Sequence, residues 1–204
     1  MVDKSRLPDI ILASASPRRE ELLGLMGLRF KVAPSDFDES SAAQWPPEEH
    51  VLQSATGKAL DVALKFPQGI VIGADTVVVV DDAILGKPTS DDDARWMLKL
   101  LSGRSHYVYT GLCVVKRASG ATSRILRDYV QTEVRFGFLT DEIINAYVAT
   151  GEPLDKAGAY GIQERGSVLI ESVIGDYFNV VGLPVYRLSR MLAEIGVPLF
   201  GSPG

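Results

Sequence analysis

Short apolar runs of strand length alternate with helix-length stretches along nearly the whole chain, and this alternation limits the fold more than any other feature. Ile10–Ala13 reads as a strand. Ser16 and Pro17 then mark a helix start, because serine suits the cap and proline the first turn. Leu22, Leu23 and Met26 continue an apolar helical face, and Gly27 ends it. Phe30–Val32 follows as a second strand, and Pro34–Gln44 is polar and irregular, so it reads as a loop. A helix is predicted over Pro47–Phe66. Ile70–Ile72 and Thr76–Val80 form a strand pair, or one long strand interrupted at Gly73-Ala-Asp75. Ala83–Leu85 returns after Asp81-Asp82 as a hairpin.

The second half repeats the mixture. Helices are predicted over Thr89–Leu101, Thr140–Thr150 and Pro184–Ile195. Tyr107–Lys116 and Arg124–Arg135 read as a long antiparallel pair, and Val168–Val173 and Asn179–Val181 as short strands. The last residues, Gly201–Gly204, read as loose. Hairpins and crossover-like connections occur together, so the expected class is α/β or α+β with a sheet of mixed direction. No repeat and no low-complexity linker marks a domain boundary.

Charge and cysteine content narrow the function classes. The net charge of -5 argues against a general nucleic-acid binder, whose phosphate contacts need a positive surplus. A small anionic ligand remains compatible, since a few local cations can make a positive pocket in an acidic protein. The single cysteine, Cys113, lies in an apolar run with no basic neighbour and reads as a buried strand residue, consistent with a reducing, cytoplasmic setting. The two histidines, His50 and His106, are too scattered for a zinc site. No stretch has the length of a membrane span.

Four segments carry chemistry. Ser14-Ala-Ser-Pro-Arg-Arg19 places hydroxyls and guanidinium groups where a strand gives way to a helix N-terminus, a natural phosphate grip. An ordinary cap followed by solvated arginines accounts for that segment equally. Asp75 is an acid between apolar strand residues; its burial requires a metal or a cation, unless it is a turn residue at a strand break. Asp36-Phe-Asp-Glu39 offers carboxylate oxygens of the kind magnesium takes beside substrate phosphates, although most acidic loops are merely solvated. Lys58, Lys87 and Lys156 stand in distinctive settings. Lys156 opens Lys-Ala-Gly-Ala-Tyr-Gly-Ile-Gln163, whose small residues would let a flat ligand approach the backbone, and Gln163 could read a base edge. A glycine-rich connector is the plainer reading. Neither the P-loop pattern nor the dinucleotide fingerprint is present.

Taken in order, these segments resemble the Maf family of nucleotide pyrophosphatases. The matching runs are Leu12-Ala-Ser-Ala-Ser-Pro-Arg-Arg19, Asp38-Glu39, Lys58-Ala59, Gly73-Ala-Asp-Thr76, Gly86-Lys-Pro88, Leu101-Ser-Gly-Arg104, Glu152 through Gln163, and Val181-Gly-Leu-Pro184. The resemblance implies one domain over residues 1–204 with an inosine-triphosphatase-like mixed sheet, flanking helices, and two lobes around a central cleft. It implies hydrolysis of dTTP and UTP to the monophosphate and pyrophosphate with a divalent cation, magnesium or manganese. Asp75 matches the family's proton acceptor, and Glu39 with Asp75 the metal carboxylates. Ser14, Arg19, Lys58 and Lys87 match phosphate-binding positions. Arg18, Thr76 and Gln163 match the pattern of the dTTP/UTP subgroup. The 7-methyl-GTP subgroup typically has tryptophan after the proline and glutamine after the aspartate. A nucleotide-binding regulator of septum formation with little turnover is the competing class, and a homodimer is compatible with the resemblance. One departure stands out: the family usually shows Arg-Leu-Ala before the lysine, whereas this chain has Gln53-Ser-Ala-Thr-Gly57. Glycine in a helix costs about 1 kcal/mol against alanine, so the placement of Lys58 is the point this departure puts at issue.

Overall fold

The structure, a computed structural model, describes residues 8–39 and 45–199. The part of the predicted loop over 40–44 and the tail 201–204 lie outside the described residues. Among the described residues, seven strands form one mixed sheet, numbered in chain order as β1 (Ile10–Leu12), β2 (Phe30–Val32), β3 (Gly69–Val80), β4 (Ala83–Leu85), β5 (Ser105–Ala118), β6 (Ala121–Phe136) and β7 (Ile170–Ile174), and they run in the order β2-β1-β3-β5-β6-β7 with β4 paired to β3. Six α-helices accompany them among the described residues, which agrees with the mixed α/β class expected above. The chain divides into two compact units. The first comprises residues 1–75, 110–130 and 182–204; the second comprises 76–109 and 131–181.

In the first unit, β1 (Ile10–Leu12) lies between two parallel partners. Ile10 pairs with Phe30 of β2 (Phe30–Val32) and with Ile70 of β3 (Gly69–Val80). Parallel neighbours require crossovers, and helices supply them. These are α1 (Pro17–Leu25) between β1 and β2, and α2 (Pro47–Ala63) between β2 and β3. The small face of α2, Ala55, Ala59 and Ala63, packs into a core with Ile11, Val71, Cys113 and Val115. Two glycines let it come unusually close. A Cβ on Gly73 would stand 2.3 Å from the Ala55 carbonyl, and one on Gly111 would stand 2.3 Å from that of Val51. Real Cβ atoms do not approach backbone so closely, so glycine at 73 and 111 sets the separation between helix and sheet. Gly111 belongs to β5 (Ser105–Ala118), which joins β6 (Ala121–Phe136) through Ser119 and Gly120, both at positive φ. Helix α6 (Val185–Glu194) completes this unit with Leu188, Met191 and Leu192 buried.

In the second unit, β3 turns into β4 (Ala83–Leu85) through Asp81 and Asp82, at φ 49° and 64°. The hairpin is therefore the one predicted, with aspartate tolerating the left-handed region. Helix α3 (Asp91–Leu101) is capped by Ser90, whose hydroxyl accepts from the Asp93 amide at 3.1 Å. Helix α4 (Asp141–Val148) is capped by Thr140 in the same manner. Both cover a core that includes Val78, Leu98, Phe136, Ile144 and Tyr160. Strand β7 (Ile170–Ile174) runs antiparallel to β6.

Three expectations change. Strand β3 is continuous, so Asp75 is a mid-strand residue and not a turn residue. Asn179–Val181 is not a strand: it lies in a short helix, α5 (Tyr177–Val181). Asp176 Oδ1 accepts from the Phe178 amide (2.8 Å) and the Asn179 amide (3.2 Å), which starts a helical turn. Three apolar or amide residues cannot by themselves distinguish the two periods. The strand predicted from Val168 begins two residues later, after a 3-10 segment over Arg165–Leu169.

Candidate active site

Asp75 is only 5% exposed although it sits in the middle of a strand. An isolated carboxylate could not be held there cheaply, and the structure supplies its partner. Lys58 of α2 donates from Nζ to Asp75 Oδ1 at 2.7 Å. The same ammonium lies 3.0 Å from Glu39 Oε1, so Lys58 bridges the two acids. The close seating of α2 at Gly73 and Gly111 brings the lysine within reach.

Glu39 is held near Lys58 by a chain of contacts along α2. Asp61 Oδ2 accepts from the Ser35 hydroxyl (2.9 Å) and the Asp36 amide (3.0 Å). These bonds, the Asp36 amide foremost, pull the Asp61 carboxyl below its ordinary pKa. Phe37 then places its ring over Gly57, where an added Cβ would come within 2.3 Å of it. Gly57 is therefore not a weak spot in α2, which runs unbroken through it. It is the socket for the aromatic ring two residues before Glu39.

The Ser14–Arg19 segment follows β1 and enters α1. The Ser16 hydroxyl makes no capping hydrogen bond. Ser14 acts instead: its Oγ accepts from the Ser16 amide at 3.2 Å and from Arg19 Nη1 at 3.4 Å. Arg19 Nε donates to the Gly182 carbonyl at 2.9 Å, within the run Val181 through Pro184. Burial lowers the Arg19 pKa, while Asp75 and Glu39 act on it in the opposite direction. The guanidinium thus lies within electrostatic reach of both acids, and Ser14, Arg19, Glu39, Lys58 and Asp75 form one cluster. Arg18 is half-buried on α1 and close enough to Arg19 to lower its pKa by charge repulsion.

The cluster contains one group that is not among the predicted site residues, His50. His50 Nε2 lies 3.8 Å from Asp75 Oδ2. His50, Ser54 and Lys58 follow one another at four-residue spacing, which puts them on one face of α2. That spacing is the signal the sequence carries; the wide separation of His50 from His106 carries none.

Two observations bear on a metal. Asp75 Oδ2 is buried and has no hydrogen-bond partner among the described residues, so one hard oxygen is left without a hydrogen bond, with His50 Nε2 3.8 Å from it. No group of three or more histidine, cysteine or acidic residues gathers as a ready-made cage among the described residues. A two-carboxylate set completed by water and phosphate oxygens is the way magnesium is commonly held, and Asp75 with Glu39 fits it. Charge agrees. Arg19 and Lys58 only balance Asp75 and Glu39, so a divalent ion on the acids would leave the cluster positive toward a polyphosphate.

The remaining predicted residues belong to the second unit. Thr76 follows Asp75 on β3 and so points to the opposite face of the strand. Lys87 is exposed in the turn after β4, where the Gly86 carbonyl accepts from the Gly158 amide at 3.0 Å. Gln163 is exposed in a turn after the 3-10 segments Glu152–Asp155 and Ala157–Ala159. Lys156 is buried and structural: Nζ donates to the Glu152 carbonyl (2.9 Å) and pairs with Asp155 (2.8 Å) and Glu164 (3.2 Å). The glycines nearby make room for protein and not for a flat ligand. An added Cβ at Gly158 would meet Val78 at 2.9 Å, and one at Gly161 would meet Lys156 at 2.5 Å.

Fold and cluster define a mixed-sheet α/β protein whose buried acid, set among cations, suits phosphate chemistry. The chain belongs to the Maf family: the family model described as "Maf-like protein" matches residues 9–195. A dTTP/UTP pyrophosphatase of Symbiobacterium thermophilum is 49% identical over 194 residues, covering 95% of this chain and 97% of that protein. A dTTP/UTP pyrophosphatase of Moorella thermoacetica is 50% identical over 192 residues, covering 94% and 97%. The solved structure of the Staphylococcus aureus Ham1 protein aligns over 92% of this chain and 99% of its own, at TM-score 0.49 and 16% identity.

Proposed function

We propose that this protein hydrolyses dTTP and UTP to the monophosphate and pyrophosphate. The observation that carries the reading is the buried Asp75 carboxylate. One oxygen is held by Lys58 at 2.7 Å, and the other accepts no hydrogen bond among the described residues, with His50 Nε2 3.8 Å away. Lys58 anchors the group through Oδ1, which leaves Oδ2 to accept a proton from water. That water attacks the α-phosphorus, and the bond to the bridging oxygen of the β-phosphate breaks. Pyrophosphate then leaves with the bonding electron pair. Arg19 and Lys58 offset the charge that develops on it, which is where such groups lower a barrier most. Ser14 orients Arg19. A magnesium or manganese ion held by Asp75 and Glu39 would polarise the phosphate oxygens and favour ionisation of water. Lys87 keeps the phosphate role, and Arg18, Thr76 and Gln163 the base-selecting role, that the family pattern implies. The names of the relatives support the choice of dTTP and UTP.

The test is pyrophosphate release from dTTP and UTP with magnesium, beside 7-methyl-GTP and ITP, for wild type and Asp75→Asn. Wild type should prefer the two pyrimidine nucleotides. Asp75→Asn should lose at least about a hundredfold in kcat, since it removes the proton acceptor. Tight dTTP binding without release by wild type would point to the regulator class instead. A preference for 7-methyl-GTP or ITP would overturn the substrate assignment.

A further inference from the structure

Glu152 follows Gly151, which turns the chain out of α4 at φ 75°. Its carboxylate accepts three hydrogen bonds, two of them from neighbouring amides of one short stretch of chain. Oε1 accepts from the Tyr147 hydroxyl at 2.8 Å and from the Gly166 amide at 2.9 Å. Oε2 accepts from the Arg165 amide at 3.0 Å. The Tyr147 hydroxyl in turn accepts from the Gly161 amide at 3.2 Å. Lys156, buried beneath, donates to the Glu152 carbonyl and pairs with Glu164. Residues 161, 164, 165 and 166 are thus all tied to three side chains, and Gln163 stands among them with its own side chain exposed. The fit allows little slack. An added Cβ at Gly161 would come within 2.5 Å of Lys156, and one at Gly166 within 2.5 Å of the Tyr147 hydroxyl.

An exposed turn with this composition would otherwise sample several conformations. A glutamine amide can distinguish one base edge from another only if its backbone is held in place before the ligand arrives. The geometry points to Glu152 as a positioning residue for base selection: with Tyr147 and Lys156 it clamps the 161–166 turn so that Gln163 presents its amide in one place. This rests on the reading of Gln163 as a base-selecting residue. The role is separate from the hydrolytic cluster, all of whose members lie in the other unit.

Glu152→Gln keeps the shape and spoils the clamp. A glutamine has one acceptor oxygen and one NH2 group, so in either orientation a backbone amide faces a donor. The full chain is compared as wild type, Glu152→Gln, Tyr147→Phe and Gln163→Ala. The measurements are kcat and KM for dTTP and dGTP, amide hydrogen exchange over 161–166, and the melting temperature. Glu152→Gln should speed exchange at Arg165 and Gly166. It should also reduce the dTTP-over-dGTP ratio of kcat/KM by about tenfold, mainly through a higher KM for dTTP. Tyr147→Phe should act in the same direction more weakly, and it carries the test if Glu152→Gln does not fold. A folded Glu152→Gln with unchanged selectivity, or with amides still protected, overturns the positioning role. If Gln163→Ala also leaves the ratio unchanged, the base-selection reading itself has failed. If Gln163→Ala lowers the ratio and Glu152→Gln does not, only the positioning role falls.

Discussion

His106 shows what a single buried side chain can contribute to stability. It is 1% exposed, hydrogen-bonded through Nε2 to the Tyr160 hydroxyl at 2.8 Å, and packed edge-on against Phe136. Burial lowers its pKa from 6.5 to about 4. The neutral ring is therefore the folded form, while the unfolded chain takes up a proton near pH 6.5. Between these values the unfolded state binds more protons, so stability falls as pH falls through that window. The loss amounts to on the order of 3 kcal/mol once the pH is below the folded value. Denaturant unfolding at pH 7 and pH 4.5 should show wild type losing more stability than His106→Asn. Equal losses would assign the acid sensitivity to other groups. Cys113 illustrates the same force on a thiol: burial raises its pKa to about 11, which fits the inert strand cysteine expected from its neighbours.

Helix α2 is the element on which the cluster of acids and cations around Asp75 depends. It carries Lys58 and His50, takes the Phe37 ring at Gly57, and lies against the sheet at Gly73 and Gly111. The two kinds of glycine should respond differently to alanine. At Gly73 the added methyl meets backbone, which cannot step aside, so Gly73→Ala should destabilise the fold by roughly 1–3 kcal/mol and reduce activity with it. At Gly57 the methyl meets an aromatic side chain that can swing away, and alanine is the better helix former by about 1 kcal/mol. Gly57→Ala should therefore hold its melting temperature to within a few degrees while hydrolysis slows, because the displaced Phe37 no longer holds Glu39 beside Lys58. An unchanged rate in Gly57→Ala would show that the socket does not position Glu39.

For the whole molecule, the net charge of -5 works against an anionic substrate, so local cations must overcome the general field. Arg19 and Lys58 balance Asp75 and Glu39, so under the proposed function Arg18 and a divalent ion on the acids would supply that positive region. Attraction of this kind is screened over about 10 Å at 0.1 M salt. KM for dTTP should rise several-fold between about 50 mM and 500 mM salt, with kcat changing less. A salt-independent KM would argue that direct contacts alone govern capture. Among the described residues no helix is long and apolar enough to cross a membrane.

Much of the local structure was legible from the amino-acid order. The entry into α1 at Pro17 and the Asp81-Asp82 hairpin follow from steric preferences that act within a few residues. The chemistry-bearing runs, Ser14 through Arg19 and Gly73 through Thr76, could also be marked by residue type. Tertiary structure alone decided that β3 runs unbroken through Asp75 and that Asn179–Val181 coils into a helix. It also decided that His50 faces the acid and that Gly57 receives Phe37. Those outcomes turn on what covers a residue and on contacts between segments far apart in the chain. The pairing of Lys58 with Asp75 spans seventeen residues and exists only because two glycines let a helix settle onto a sheet. Local preference can nominate a charged residue, but burial and distant partners determine what that charge does.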